Sequence, residues 1–340
     1  MFGLGWLRAL TDARGLLEHA HHGVPRLGEG YTTDDNARAL LYLSLLPEGA
    51  RDEGLVRTYL ASLLHMQKED GRFRNGLTLD GRFEDEGEAE DPTGRAVLAL
   101  AAAQRLPPPY AGPAREALLR ALPALEGFTS LRGRAYALLG LLALPKEPFL
   151  EAAEALGEGL LRAFREAEPA WPYPGPLTYA NHRPVEALYA YGLAFRRQEA
   201  VALARRALAF LKEHYFTPGE EGLFFDPVGN RFMARGRDKP LFDQQPIEAK
   251  CALLAHLRFG ERVLAEVAFL WFHGRNRLRA PLVDAFGPMD GLTPHGPNQN
   301  RGAEALLAYL LAWQALVQGV FPQVDEGVAL GRVFALGGRP

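Results

Sequence analysis

One cysteine, Cys251, stands in 340 residues. A lone thiol excludes an internal disulfide framework and a cysteine-based zinc site, and it fits a reducing compartment. Asparagine and methionine are scarce, and arginine far outnumbers lysine. This bias is expected of a thermophile, and equally of a GC-rich genome. No sign of charge dominates: 38 basic and 41 acidic residues leave a formal net charge of −3. That provides no electrostatic footprint for nucleic acid or an anionic membrane. The longest clean apolar run, "AVLALAAA", falls far short of the ~20 residues that span a bilayer. The start, "MFGLGWLRALTDARG", lacks the basic head and apolar core of a signal peptide. A cytoplasmic protein is therefore expected. Motifs are missing as well: no GxxxxGK[ST], no GxSxG elbow, no HExxH, and "LGEG" follows no strand. "HAHH" at 19–22 has no partner acid at metal spacing, so neither metal nor cofactor is expected.

Period-two β-branched patterning is nearly absent. What is present is helical: segments rich in Leu, Ala, Glu and Arg with 3.6-residue spacing. Six of them begin alike, as "DDNARAL", "DPTGRAVLAL", "SLRGRAYALLG", "HRPVEALYAY", "QQPIEAKCAL" and "NRGAEALLAYL". Each holds a charged residue followed by Ala, at Arg38, Arg95, Arg134, Glu186, Glu248 and Glu304, with gaps of 57, 39, 52, 62 and 56 residues. This is a repeated helical hairpin with variable loops. Between these starts lie more charged amphipathic segments, at about 4–21, 52–68, 112–125, 148–166, 198–214 and 260–273, suited to an outer layer. The fold expected is all-α: a single (α/α)6 toroid over 1–318, six inner helices ringed by six outer ones, with 319–340 as a C-terminal extension.

The connections are uneven. Inner-to-outer loops are short, and outer-to-inner loops are mostly long. All seven asparagines lie in those long loops or at inner-helix starts. Long loops on one side of a scaffold carry function, so a polar, aromatic-lined cleft is expected at the inner-helix N-terminal end.

Counting four back from each charged marker gives Asp34, Asp91, Ser130, His182, Gln244 and Asn300, of which Asp34, Asp91, Ser130 and Asn300 are favoured cap residues. A cap explains Asp34 and Asp91 but not the second acid beside each, Asp35 and Glu90. Paired carboxylates across a cleft are what glycoside hydrolysis needs. The catalytic candidates are Asp34, Asp35, Glu90, Asp91, Asp243 and Glu248; Glu248 is included because Asp243, Gln244 and Gln245 crowd beside it. Arg134 and Glu304 read as members of a buried ion-pair network between inner helices. Arg38, Arg95, Asn181, Gln244, Gln245 and Asn298 would hold sugar hydroxyls, with Tyr31, Trp171, Tyr179, His182, Asp290 and His295 as further substrate-binding candidates. The loop aromatics Trp171, Tyr173, Tyr179, Phe224, Phe225, Phe232 and Phe242 are either stacking platforms or loop core.

Four ordered stretches, "GYTTDDNARAL", "EDGRFRN…EAEDPTGRA", "DQQPIEA" and "DGLTPHGPNQNRGAEALLAYL", resemble a bacterial and archaeal family associated with glycosyltransferases, within the six-hairpin glycosidase superfamily. The resemblance implies the toroid, carbohydrate chemistry and, as candidate partners, an oligosaccharide or glycoconjugate and a glycosyltransferase. Two departures stand out. Ala89-Glu90-Asp91 replaces an expected "SED". "YANHRPVEAL" replaces "YDNARLPEAL", so Ala180 and His182 leave that corner without an acid. The function expected first is an inverting glycoside hydrolase, its two carboxyl groups ~6.5–9.5 Å apart. The acid would come from the 90–91 pair and the base from 34–35 or Asp243. Two alternatives stand beside it: an epimerase or isomerase using His182 and His295, and a noncatalytic carbohydrate-binding module.

Overall fold

A computed structural model describes residues 3–84, 90–144 and 146–320. Its α-helices among these residues are α1 (Leu4–Ala9), α2 (Thr33–Ser44), α3 (Glu53–Met66), α4 (Glu90–Ala102), α5 (Pro108–Leu125), α6 (Leu131–Leu141), α7 (Phe149–Arg165), α8 (His182–Ala194), α9 (Gln198–Tyr215), α10 (Pro246–Arg258), α11 (Arg262–Leu270) and α12 (Ala303–Gln318). The even-numbered helices pack neighbour on neighbour, and α12 closes the ring against α2. The odd-numbered ones pack outside them. This is the (α/α)6 toroid.

Burial follows the two layers. In α2 every residue except Asp34 is buried, because the helix is walled on all sides but one. In the outer α7 only Phe149, Leu150, Ala153, Leu156, Gly157, Leu160, Leu161 and Phe164 are buried, the apolar stripe of an amphipathic helix. Inner helices touch closely where side chains vanish. A Cβ on Gly94 would lie 2.4 Å from the Gly133 carbonyl oxygen, so only glycine lets α4 and α6 approach this far.

The first outer helix stops early. A helix over 4–21 is expected, yet α1 ends at Ala9. Asp12 takes the backbone N–H groups of Arg14 and Gly15 on its own carboxylate, a local turn that competes with helix. The chain then runs extended, with Leu17 bridged to Tyr31. Five short two-stranded antiparallel sheets decorate the outer-to-inner connections: four hairpins, pairing 20–21 with 24–25, 216–219 with 222–225, 283–284 with 287–288 and 291–293 with 296–298, and one pair, 31–32 with 76–77, that joins the first two connections. They collect at the inner-helix N-termini. Of the expected C-terminal extension, residues 321–340 lie outside the described residues, as does Ala89.

Candidate functional site

Of the caps expected, only Ser130 caps its helix with its side chain, accepting from the Gly133 N–H at 3.1 Å. The cap of α2 is Thr32, which accepts from the Asp35 N–H at 3.2 Å and donates its hydroxyl to the Asp35 carboxylate at 3.0 Å. The cap is thus neither acid of the first pair. Asp35 is the structural one: 3% exposed, locked to Thr32, and ion-paired to Arg38 at 2.5 Å. Burial pushes its carboxyl upward against the pull of Arg38. Asp34 is the less buried of the two, its side chain 20% exposed. One of its oxygens pairs with Arg95, and the other, Oδ1, has no hydrogen-bond partner.

Asp34 faces a cavity of about 260 Å3 lined by Glu18, His19, Thr32, Asp34, Asp35, Arg38, Asn75, Gln245, Pro246, Asp290, Gly302 and Glu304, among others. Five of these are carboxylates. Glu304 of α12 reaches Arg38 of α2 at 2.9 Å. Asp290 accepts the Gly302 N–H at 2.5 Å, and burial raises its carboxyl. Glu18 reaches the rim because its backbone oxygen receives the Ala303 N–H at 2.9 Å, pinning the extended N-terminal segment onto the start of α12. Burial, and then the charge of Asp35, push the Glu18 carboxyl up to about 7. His19 Nε2 lies 3.5 Å from the same carboxylate.

On the next stretch of wall Asp91 receives the Ser130 hydroxyl, Arg132 Nε at 2.7 Å and the Tyr179 hydroxyl at 2.8 Å. The Arg132 guanidinium stacks 4.0 Å above the Tyr179 ring. Burial alone would raise Asp91, but Arg132 and the Ser130 hydrogen bond hold it below the usual carboxylate range. The acids of the rim, Asp91, Asp34 and Glu304, therefore alternate with the arginines one turn below them, Arg95 and Arg38.

Other candidates sit elsewhere. Glu90 accepts the backbone N–H groups of Thr129 at 2.8 Å and Ser130 at 2.5 Å, tying α4 to the start of α6. Asp243 is exposed, in a left-handed conformation with φ 55°. Glu248 is 1% exposed and accepts the Ala180 N–H; burial pushes it up to about 8. Arg134 points away from the ring, to the carbonyls of Phe128 and Gly159. Glu186 pairs with Arg183 at 2.5 Å and Arg258 at 3.0 Å, not with an arginine of the first half. His182 is fully buried against Tyr215, and desolvation keeps its imidazole neutral. His295 is exposed on a hairpin tip. One enclosed and one exposed histidine do not form a common site.

Several expected sugar ligands are spent on structure. Tyr31 donates to Asp12 at 2.5 Å. Asn181 accepts from the Thr178 N–H and donates to the Tyr215 hydroxyl. Asn298 caps the turn at Asn300. Trp171, Tyr173 and Phe225 are buried loop core, with Trp171 donating to the Gly175 carbonyl. Gln244 donates to Asp226 and the Leu241 carbonyl and accepts from Trp271. Gln244→Leu is therefore expected to cost about 1–3 kcal/mol by leaving Trp271 and Asp226 short of a partner. Urea titration measures it, and an unchanged midpoint would mean the network is dispensable.

The missed residues are Glu18, His19, Asn75 and Arg132. Glu18 and His19 sit in the segment expected as outer helix, which instead runs extended and enters the site through pairing with residues 30 and 303, a contact no local pattern announces. Larger depressions, of about 510 to 590 Å3, lie on the outside of the ring and under the 170s loop. Each has two carboxylates in its lining, against five around the α2–α12 cavity, and converging polar groups mark a site better than size does.

No protein-family model matches the sequence, and no curated protein matches it in sequence. Solved structures match its fold. A sugar epimerase from a ruminal bacterium superposes with TM-score 0.65 at 11% identity, over 94% of this chain and 96% of that one. Cellobiose 2-epimerase from Bacillus thermoamylovorans gives 0.67 at 9% identity, over 91% and 95%. A GH76 α-mannanase from Bacteroides thetaiotaomicron gives 0.61 at 10%, over 98% and 95%. At such identity the likeness carries the toroid and nothing finer.

Proposed function

We propose that this protein is a carbohydrate-active enzyme, a glycoside hydrolase that cleaves oligosaccharides with two carboxyl groups of the α2–α12 cavity. The observation that carries this reading is a pair of acids in unlike environments. Glu18 is held near pH 7 in its titration. Asp34 is ion-paired, and its second oxygen, Oδ1, is buried without a hydrogen-bond partner. Environments that separate two carboxyl groups assign the acid and the base. Glu18 donates the proton to the leaving oxygen, and Asp34 orients and activates water. Asp91 is a poor acid, since it is held ionised; with Arg132 and Tyr179 it orients the sugar. Arg38, Gln245 and Asp290 supply hydroxyl contacts. The glycosyltransferase association rests on the sequence resemblance alone.

A second reading is a sugar epimerase or isomerase, favoured by the fold likeness to epimerases and by the Glu18–His19 pair, which offers an acid and a base on one segment. Incubation with oligosaccharides in D2O separates the two. Hydrolysis releases new reducing ends, of inverted anomeric configuration, without carbon-bound deuterium. Epimerisation places deuterium at C2 and cleaves nothing. Neither signal across a broad glycan panel would leave a binding module as the reading.

A further inference from the structure

We propose that the floor of the toroid lumen, one helical turn below the carboxylate rim, binds an anionic group carried by the sugar, a carboxylate or a phosphate, through Lys250 and Tyr136 flanked by Arg95 and Arg183. The proposal rests on the reading of the rim as a sugar site and names the substrate class.

Residues four apart share a helix face. One turn below Asp34 stands Arg38, below Asp91 Arg95, below Arg132 Tyr136, below Pro246 Lys250, and below Glu304 Ala308. Arg183 of α8 joins this tier, its guanidinium 5.6 Å from the Tyr136 ring centre, with that of Arg95 4.7 Å away. The tier thus holds four cations, a phenol and a methyl. The acids that pair with Arg38 and Arg95 belong to the rim above, and Arg183 is paired to the buried Glu186 of its own helix.

The unmet groups of this tier are all donors. Lys250 is 2% exposed, and no hydrogen bond or ion pair among the described residues engages its ammonium. The Tyr136 hydroxyl is buried without a partner, and so are the Nε atoms of Arg38, Arg95 and Arg183. Buried donors without acceptors are costly and rare in native proteins. Burial first, and then Arg183, Arg38 and Arg95 against the opposing Cys251, push the Lys250 amine down to about 8. An anion arriving among these donors satisfies them and relieves that repulsion.

Access comes from above. A helical side chain leans toward the N-terminus of its helix, so Lys250 reaches up toward Pro246, which lines the cavity with Arg38. Of this tier Arg38 lines the cavity, so the route proposed for a sugar's substituent runs down past Arg38 to the floor.

Calorimetry with D-glucose, D-glucuronate, D-glucose 6-phosphate and inorganic phosphate tests the floor without requiring turnover. At least one acidic sugar is expected to bind ten-fold or more tighter than glucose, and which one identifies the carboxylate or the phosphate as the group held. Lys250→Met and Tyr136→Phe are expected to abolish that preference. Lys250→Met should also melt higher than the parent without ligand, having lost a buried unpaired cation, so loss of binding is not loss of fold. Equal binding of neutral and acidic sugars, or a preference that survives Lys250→Met, overturns the floor. Turnover of neutral oligosaccharides with no anion binding keeps the rim reading and overturns the floor. Phosphate binding lost in Lys250→Met, with no sugar bound, keeps the floor and overturns the rim reading. No binding by any of the four, with no turnover, overturns both.

Discussion

Glu18→Gln is expected to lower turnover by roughly 10²- to 10⁴-fold, the usual worth of a positioned general acid, with folding intact. The substitution keeps size and hydrogen bonding, and the backbone contact that seats residue 18 on α12 is untouched. What it removes is the transferable proton. Because the carboxyl titrates near 7, activity of the parent should fall as pH rises through that value, and this limb should vanish in the variant. Initial rates from pH 5 to 9 on a substrate found by glycan screening provide both readouts. A variant with parental kcat/KM and an unchanged pH profile would remove Glu18 from the reaction.

Glu248→Gln should change stability rather than chemistry. Glu248 is buried, and its folded-state value of about 8 exceeds the ordinary 4.5. The folded protein therefore keeps a proton that the unfolded chain releases across pH 4.5 to 8. The stabilisation is fully present below the lower value and lost as pH rises through the upper one. At about 1.4 kcal/mol per pH unit, the change over this window is on the order of 4 kcal/mol. Glutamine is neutral throughout and still accepts the Ala180 N–H, so the variant should lose most of that slope and exceed the parent in stability at pH 8. Glu18 tilts the profile in the same direction up to about 7, so a residual slope remains. Denaturant titrations at pH 5, 6.5 and 8 measure this; parallel profiles for parent and variant would show that Glu248 folds ionised.

The toroid was legible because helical periodicity and uneven loop lengths are local signals. The charged markers were legible only in part. On α2, α4 and α12 they face the rim and lumen as Arg38, Arg95 and Glu304. On α6, α8 and α10 the lumen residues are Tyr136, Arg183 and Lys250, two or three positions from Arg134, Glu186 and Glu248. A helix turns about 100° per residue, so such an offset carries a side chain round to another neighbour. The expected cap at Asp34 is displaced for a related reason: the cap lies at Thr32, two residues upstream of the position that the repeat suggested. Glu18 was hidden because only a pairing across the chain brings it to the cleft.

The closure of α12 on α2 has a temporal consequence. Arg38 and Glu304 are 266 residues apart in sequence, and the cavity takes its wall from residues 18–38, from Asn75, from 245–246 and from 290–305. During synthesis, five inner helices leave the ribosome before the last strip of wall exists. Arg38 then meets only its own helix's acids, and Glu18 has no α12 to rest on. A nascent or truncated ring is thus a scaffold without a complete site: pairing with Gly30 holds Glu18 near Asp34, but the α12 wall that encloses the two carboxyl groups arrives with the last seam to close.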